Sequence, residues 1–139
     1  MNLVVRSAAQ VLVDQLVIHG ATMAFCVPGE SFLDVLDALY ERRDCIRLIS
    51  ARHEGGAAFM AEAYAKVTGA PGICLVTRGP GASNAMGGIQ TAFHDETPLI
   101  LLIGQVARPF VGREAFQEVD FVQLFGPVCK WAVQIEDPR

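Results

Sequence analysis

The 139-residue chain is 52% hydrophobic and 19% charged, enough for one domain with a buried core and apolar enough to expect part of its surface to be covered by more chain, a second subunit or a ligand. A net charge of -4 with scattered basic residues offers nothing to a phosphate backbone, so nucleic acid is not expected as a partner. The longest apolar run, Pro98 to Gly104, is far short of the roughly 20 residues of a membrane span, and Met1 to Gln10 lacks the segments of a signal peptide, so no membrane partner and a cytoplasmic location are expected.

Ser7 to His19 carries Ala8, Val11, Leu12 and Leu16 at the spacing of one helical face, and Gly20 closes that helix. The run Met23 to Val27 ends at Pro28-Gly29 and reads as a buried strand. Ser31 and Asp34 resemble a capping box for a second helix, with Phe32, Leu33, Leu36 and Leu39 as its stripe. Ile46 to Ile49 is strand-like. Glu54 to Val67 is helical, with Phe59, Met60, Ala63, Tyr64 and Val67 on one face and an i,i+4 pair, Glu62 and Lys66, on the solvent side. Gly69 to Gly72 breaks the chain, Ile73 to Thr77 is a strand, and Gly79 to Gly81 turns into a helix running to Phe93. Pro98 opens the strand Leu99 to Ile103.

Gln105 to Glu118 has no clear period and reads as a long, functional loop. Phe121 to Phe125 gives a short helix and Val128 to Ile135 a last strand. The chain stops at Asp137-Pro138-Arg139, so this single domain is expected to be a fragment of a longer multi-domain chain. Strands alternating with helices predict an α/β fold, a parallel sheet with helices on both faces. Cys26, Cys45, Cys74 and Cys129 form no C-x-x-C pair and are expected to be reduced core thiols.

Ligands of such sheets bind beyond the carboxyl ends of the strands. Three junctions point there: Val27 to Glu30, Ser50 to Glu54, and Thr77 to Asn84. The third is Gly-rich but lacks the last glycine of G-x-G-x-x-G, and Pro80 removes an amide, which argues against a nucleotide-phosphate loop. Glu54 opens its helix beside Gly55, Gly56, Ala57 and Ala58. An acid there suits the helix dipole. Equally, its small neighbours let a flat ligand approach, and once covered the carboxylate would be pushed toward a raised pKa. Sequence alone leaves both open.

The stretches Phe25-Cys-Val-Pro-Gly29, Arg52-His-Glu-Gly-Gly-Ala-Ala58, Ala61-Glu-Ala-Tyr-Ala65 and Thr77-Arg-Gly-Pro-Gly-Ala-Ser-Asn84 stand in one order. Thr97-Pro-Leu-Ile100, Gly104-Gln-Val106 and Ala115-Phe-Gln-Glu118 follow them. Together they resemble the N-terminal, pyrimidine-binding domain of thiamine-diphosphate enzymes related to acetolactate synthase, over nearly the whole chain. That family's glutamate falls on Glu54. The resemblance implies that Glu54 bonds N1′ of the aminopyrimidine, favouring the imino form whose 4′ nitrogen removes the thiazolium C2 proton. It also implies that Pro28, Gly29, Thr77, Pro80, Gly81 and Asn84 build the pyrimidine pocket.

By the same resemblance Phe116 and Gln117 lie on the substrate side; loop packing is the alternative. Two residues depart from the pattern. Glu30 stands where a second glycine is usual, either facing substrate or serving as an acid ahead of a helix. Arg78 stands where serine is common, a guanidinium that could attract a carboxylate substrate.

The resemblance implies a homo-oligomer, dimer or tetramer, in which a diphosphate-binding domain of the partner subunit holds the cofactor through Mg2+. That domain's Gly-Asp-Gly…Asn signature is absent here, so no metal ligand is expected in this chain and it should be inactive alone. The implied chemistry makes or breaks carbon–carbon bonds beside the carbonyl of 2-oxo acids, in a carboligase or decarboxylase. Open alternatives are a separate subunit that pairs with a distinct diphosphate-binding chain, and a non-catalytic doubly wound binding module.

Overall fold

The computed structural model describes residues 5–136; the start of the Met1 to Gln10 stretch and the terminal Asp137-Pro138-Arg139 lie outside the described residues. Helix α1 (Ala8–Ile18) begins with a reciprocal cap between Ser7 and Gln10. Strand β1 (Met23–Cys26), helix α2 (Leu33–Glu41), strand β2 (Arg47–Ser50) and helix α3 (Glu54–Thr68) follow. Strand β3 (Gly72–Val76), helix α4 (Pro80–His94), strand β4 (Leu99–Ile103) and the short helix α5 (Phe121–Phe125) complete the order.

The four strands pair in parallel in the order β2-β1-β3-β4. The chain steps outward from β1 to β2, then crosses back over β1 to reach β3 and β4. Because crossovers keep one hand, that reversal sends α3 and α4 to the face opposite α2. The side chains agree. Ala24, Cys26, Ile73 and Leu75 meet α1 and α2, whereas Phe25, Cys74 and Val76 meet α3, α4 and α5. The sheet is therefore covered on both faces, the three-layer α/β arrangement predicted, with β3 buried along its whole length. Among the described residues no helix is long and apolar enough to cross a membrane.

Several helix faces differ from expectation. On α1 the buried line is Ala9, Val13 and Leu16, with Ala8 and Val11 exposed. On α2, Leu33 is exposed and Ala38 is buried with Leu39. Ser31 does not cap α2, whose N-cap is Phe32 without a side-chain bond; Ser31 lies in a 3-10 turn, Glu30–Phe32. On α3 the buried residues are Ala57, Ala58, Ala61, Glu62 and Ala65, while Phe59 and Val67 are exposed. The reason is α4, which packs so closely that a Cβ on Gly88 would lie 2.9 Å from the Ala58 carbonyl carbon. Only small residues fit between the two helices.

Glu62 is the sharpest correction. It pairs with Lys66 as expected, at 2.5 Å, yet it is 6% exposed rather than solvated. Lys66 also binds Asp95, so the buried carboxylate is neutralised from the surface. Val128 to Ile135 does not form a strand: Gly126–Val128 is a 3-10 turn, residues 129–136 are irregular, and Trp131, Val133 and Ile135 are exposed. Val128 and Cys129 pack on the core, and the hydrogen bond from Gln105 to Gln134, 3.5 Å, joins side chains and supplies no ladder. All four cysteines are free, but only Cys26 and Cys74 are buried; Cys45 is exposed.

Candidate functional site

The strand order changes direction beside β1, so the carboxyl ends of β1 and β3 diverge into loops on either side of a crevice, where doubly wound sheets bind ligands. The loop after β1 carries Pro28, exposed, and Gly29. A Cβ on Gly29 would lie 2.6 Å from the Thr77 Cβ, so glycine there lets the β1 and β3 loops close against one another. Across that contact Ser31 and Thr77 share a hydroxyl hydrogen bond of 2.8 Å.

Glu54 is the first residue of α3, behind an N-cap in which His53 Nδ1 accepts from the Gly55 amide at 3.0 Å. The helix dipole favours a carboxylate at this end. Asn84, one turn into α4, donates Nδ2 to Glu54 Oε2 at 2.9 Å. Among the described residues no donor reaches Oε1. A Cβ on Gly81 would stand 3.3 Å from Oε1 and 2.7 Å from Thr77 Cγ2. Gly81 thus keeps the space beside the free oxygen open, and Pro80 at the first position of α4 sets the turn that brings Gly81 and Asn84 there. One carboxylate oxygen is anchored and the other faces a glycine-walled space, an arrangement that can exchange a proton with a flat heterocycle.

A second group of residues lies beyond Thr77. Arg78 pairs with Glu30 through Nη2 and Oε1, and its Nε donates to the Phe116 carbonyl at 3.2 Å. These residues line an open cleft of about 750 Å3 with Leu33, Val106 and Phe110. Glu54 does not line it; Thr77 and Ser31 stand between the two groups. Gln117 does not line it either. Its backbone adopts a left-handed φ of 63° and packs on Gly79, whose own φ is 57°.

Three contributors escaped the sequence reading. Ser31 looked like a helix cap and is instead the link between loops. His53 stands in the sequence only as a neighbour of Glu54, and it caps the helix that presents it. Glu118 accepts the Gly112 and Ala115 amides, which hold its pKa below the usual glutamate range and fasten the loop that carries Phe116. Their residue types gave no signal, because each acts through contacts distant in sequence or confined to loop backbone.

Residues 6–124 match the family described as the thiamine pyrophosphate enzyme, N-terminal TPP binding domain. The chain belongs to this family. The acetolactate synthase large subunit of Porphyra purpurea is 44% identical over 130 residues, 92% of this chain and 22% of that protein. That of Cyanidium caldarium is 42% identical over 140 residues, 99% of this chain and 24% of the relative. An acetolactate synthase of Arthrospira platensis is 40% identical over 134 residues, 95% of this chain and 23% of its own length. The chain therefore spans less than a quarter of each. For a thiamine pyrophosphate N-terminal domain, the residues at Glu54 fit the cofactor's pyrimidine: a carboxylate oxygen without a protein donor, beside a wall in which a side chain at Gly81 would intrude.

Proposed function

We propose that this domain is the pyrimidine-activating half of an enzyme that makes or breaks carbon–carbon bonds beside the carbonyl of 2-oxo acids. The observation that carries the reading is the half-anchored carboxylate of Glu54 at the switch point of the sheet. Thiamine diphosphate, when bound, supplies the carbanion-stabilising chemistry. Glu54 holds or accepts a proton at Oε1. Asn84 fixes the carboxylate's rotamer through Oε2, and Thr77, Gly81 and the Pro28-Gly29 turn shape the wall against which the ring lies. Glu30, Arg78 and Phe116 serve the substrate side, and Gln117 supports that loop by packing on Gly79.

In this reading the diphosphate and its Mg2+ belong to a second domain, carried by a partner subunit of a homo-oligomer. Exposed Phe59, Phe93 and Trp131 support a surface that other chain covers. The test combines the chain with a diphosphate-binding partner domain and follows thiamine diphosphate binding and turnover with Mg2+. Glu54→Gln should keep the fold and lower turnover by about 10²- to 10⁴-fold. Normal turnover in Glu54→Gln would make Glu54 a helix-start acid, and unchanged cofactor binding in Glu54→Ala would favour a non-catalytic binding module.

A further inference from the structure

We infer that the cleft is a built carboxylate site, in which Arg78 is the anion-binding guanidinium and Glu30 its displaceable counter-ion. A small carboxylate with an apolar tail is the ligand class. The inference deepens the reading above by assigning the anion-recognition element of that site, but its test needs neither cofactor nor turnover.

The pair is asymmetric. The Arg78 side chain is 13% exposed, whereas that of Glu30 is 73% exposed. Arg78 is held independently of Glu30, because Nε donates to the Phe116 carbonyl and the residue itself leaves β3 between Thr77 and Gly79. Its position is thus fixed by the fold. A guanidinium withdrawn from water needs an anionic partner. An exposed glutamate supplies one weakly, because solvent screens it and holding its side chain costs entropy.

Glu30 also binds by one oxygen only; among the described residues no donor reaches Oε2. A ligand carboxylate can instead engage the guanidinium through two parallel bonds, the arrangement Arg favours. Once bound, its tail meets Leu33, Val106, Phe110 and Phe116, of which Leu33, Phe110 and Phe116 are exposed apolar surface. Covering them adds a hydrophobic contribution that Glu30 cannot provide. A cationic ligand on Glu30 would have to sit beside Arg78, and a polar anion would leave the apolar wall uncovered.

The test titrates the full 139-residue chain at low salt with 3-methylbutanoate, its uncharged amide and acetate, following binding by calorimetry and ligand NMR. The branched acid should bind about tenfold or more tightly than the amide, reflecting a charge-assisted bond. It should also bind more tightly than acetate. Glu30→Gln and Glu30→Ala should tighten the acid by about two- to fivefold and leave the amide unchanged, because a competitor is removed. Arg78→Gln should erase the difference between acid and amide.

Should Arg78→Gln lose its native spectrum, Arg78→Lys replaces it and should show the acid's advantage reduced, with charge kept and the fork lost. Equal binding of acid and amide, or weaker acid binding in the Glu30 variants, overturns the inference. Failure of thiamine diphosphate binding in the Glu54 experiment would leave these titrations unaffected, so the two readings fail separately.

Discussion

At Gly79 the backbone has φ 57° and ψ -113°, a combination that L residues rarely adopt. A Cβ added there would also stand 2.8 Å from both the Gln117 Cβ and the Gln117 carbonyl oxygen. The strain and the clash fall on one residue, and the clash is partly with backbone. Gly79→Ala should therefore destabilise the chain by about 1–3 kcal/mol and push the loop bearing Phe116 and Gln117 away from β3. Thermal melting would read the first effect, and amide chemical shifts of residues 115–118 the second. A melting temperature and shifts equal to wild type would show that the Gly79–Gln117 contact is not maintained in solution. The residue types at this edge were legible in the sequence as a Gly-Pro-Gly turn, but the partner was not, because Gln117 lies far along the chain in a loop without periodicity.

Between elements, the informative contact is α3 on α4. Along α4, Gly81, Ala82, Ala85, Gly88, Ile89 and Ala92 are buried, facing the alanines of α3. A Cβ on Gly88 would lie 2.6 Å from Ala58 Cβ and 2.9 Å from Phe59 N, so Gly88→Val must move a backbone. Overpacking of this kind costs about 1–3 kcal/mol. Its neighbour Gly87 offers a control, because a Cβ there meets only the Phe59 ring, at 3.8 Å. Gly87→Ala should instead stabilise the helix by about 0.5–1 kcal/mol, the propensity gained on replacing glycine. Urea denaturation of both variants checks the pair; equal effects would mean that the helices are not in close contact.

The same contact explains which parts of the fold sequence could disclose. Strands β1, β3 and β4 were legible from their apolar runs, and helices α3 and α4 from their caps and breaks. The inward face of α3 was not. Hydropathy favours Phe59 and Val67, whereas close helix approach selects Ala57, Ala58 and Ala61. The sequence predicts a solvated Glu62 because buried acids are rare, and only the fold brings Lys66, Asp95 and Thr97 around it. Val128 to Ile135 has the composition of a strand, but strand structure requires a pairing partner that composition does not specify. At the site, motif order singles out Glu54 and Asn84, while their hydrogen bond depends on two helices entering the same edge of the sheet.

For the whole molecule, the buried thiols tie stability to alkaline pH. Burial, with smaller contributions from Cys26 and Glu54, pushes the Cys74 pKa from 9.0 up to about 12. Burial also raises that of Cys26, less the effect of its bond to Ser50. In the unfolded chain both thiols ionise near 9.0, so between pH 9 and about 12 the folded state keeps the Cys74 proton that the unfolded state has lost, and Cys26 acts in the same direction. Stability is then fully present below pH 9 and falls as pH rises, by up to about 1.4 kcal/mol per pH unit for each thiol. Lys66 acts in the same direction, since its bonds to Asp95 and Glu62 raise its pKa and its contribution disappears as pH climbs above 10.5. Urea unfolding at pH 8, 9.5 and 10.5 should show the decline. Cys74→Ala should lower stability at pH 8 through the space it leaves, yet make the pH dependence shallower. Cys45→Ser, at an exposed thiol, should leave the slope unchanged. A Cys74→Ala slope as steep as wild type would assign the alkaline decline to other groups, with Lys66 the next to replace.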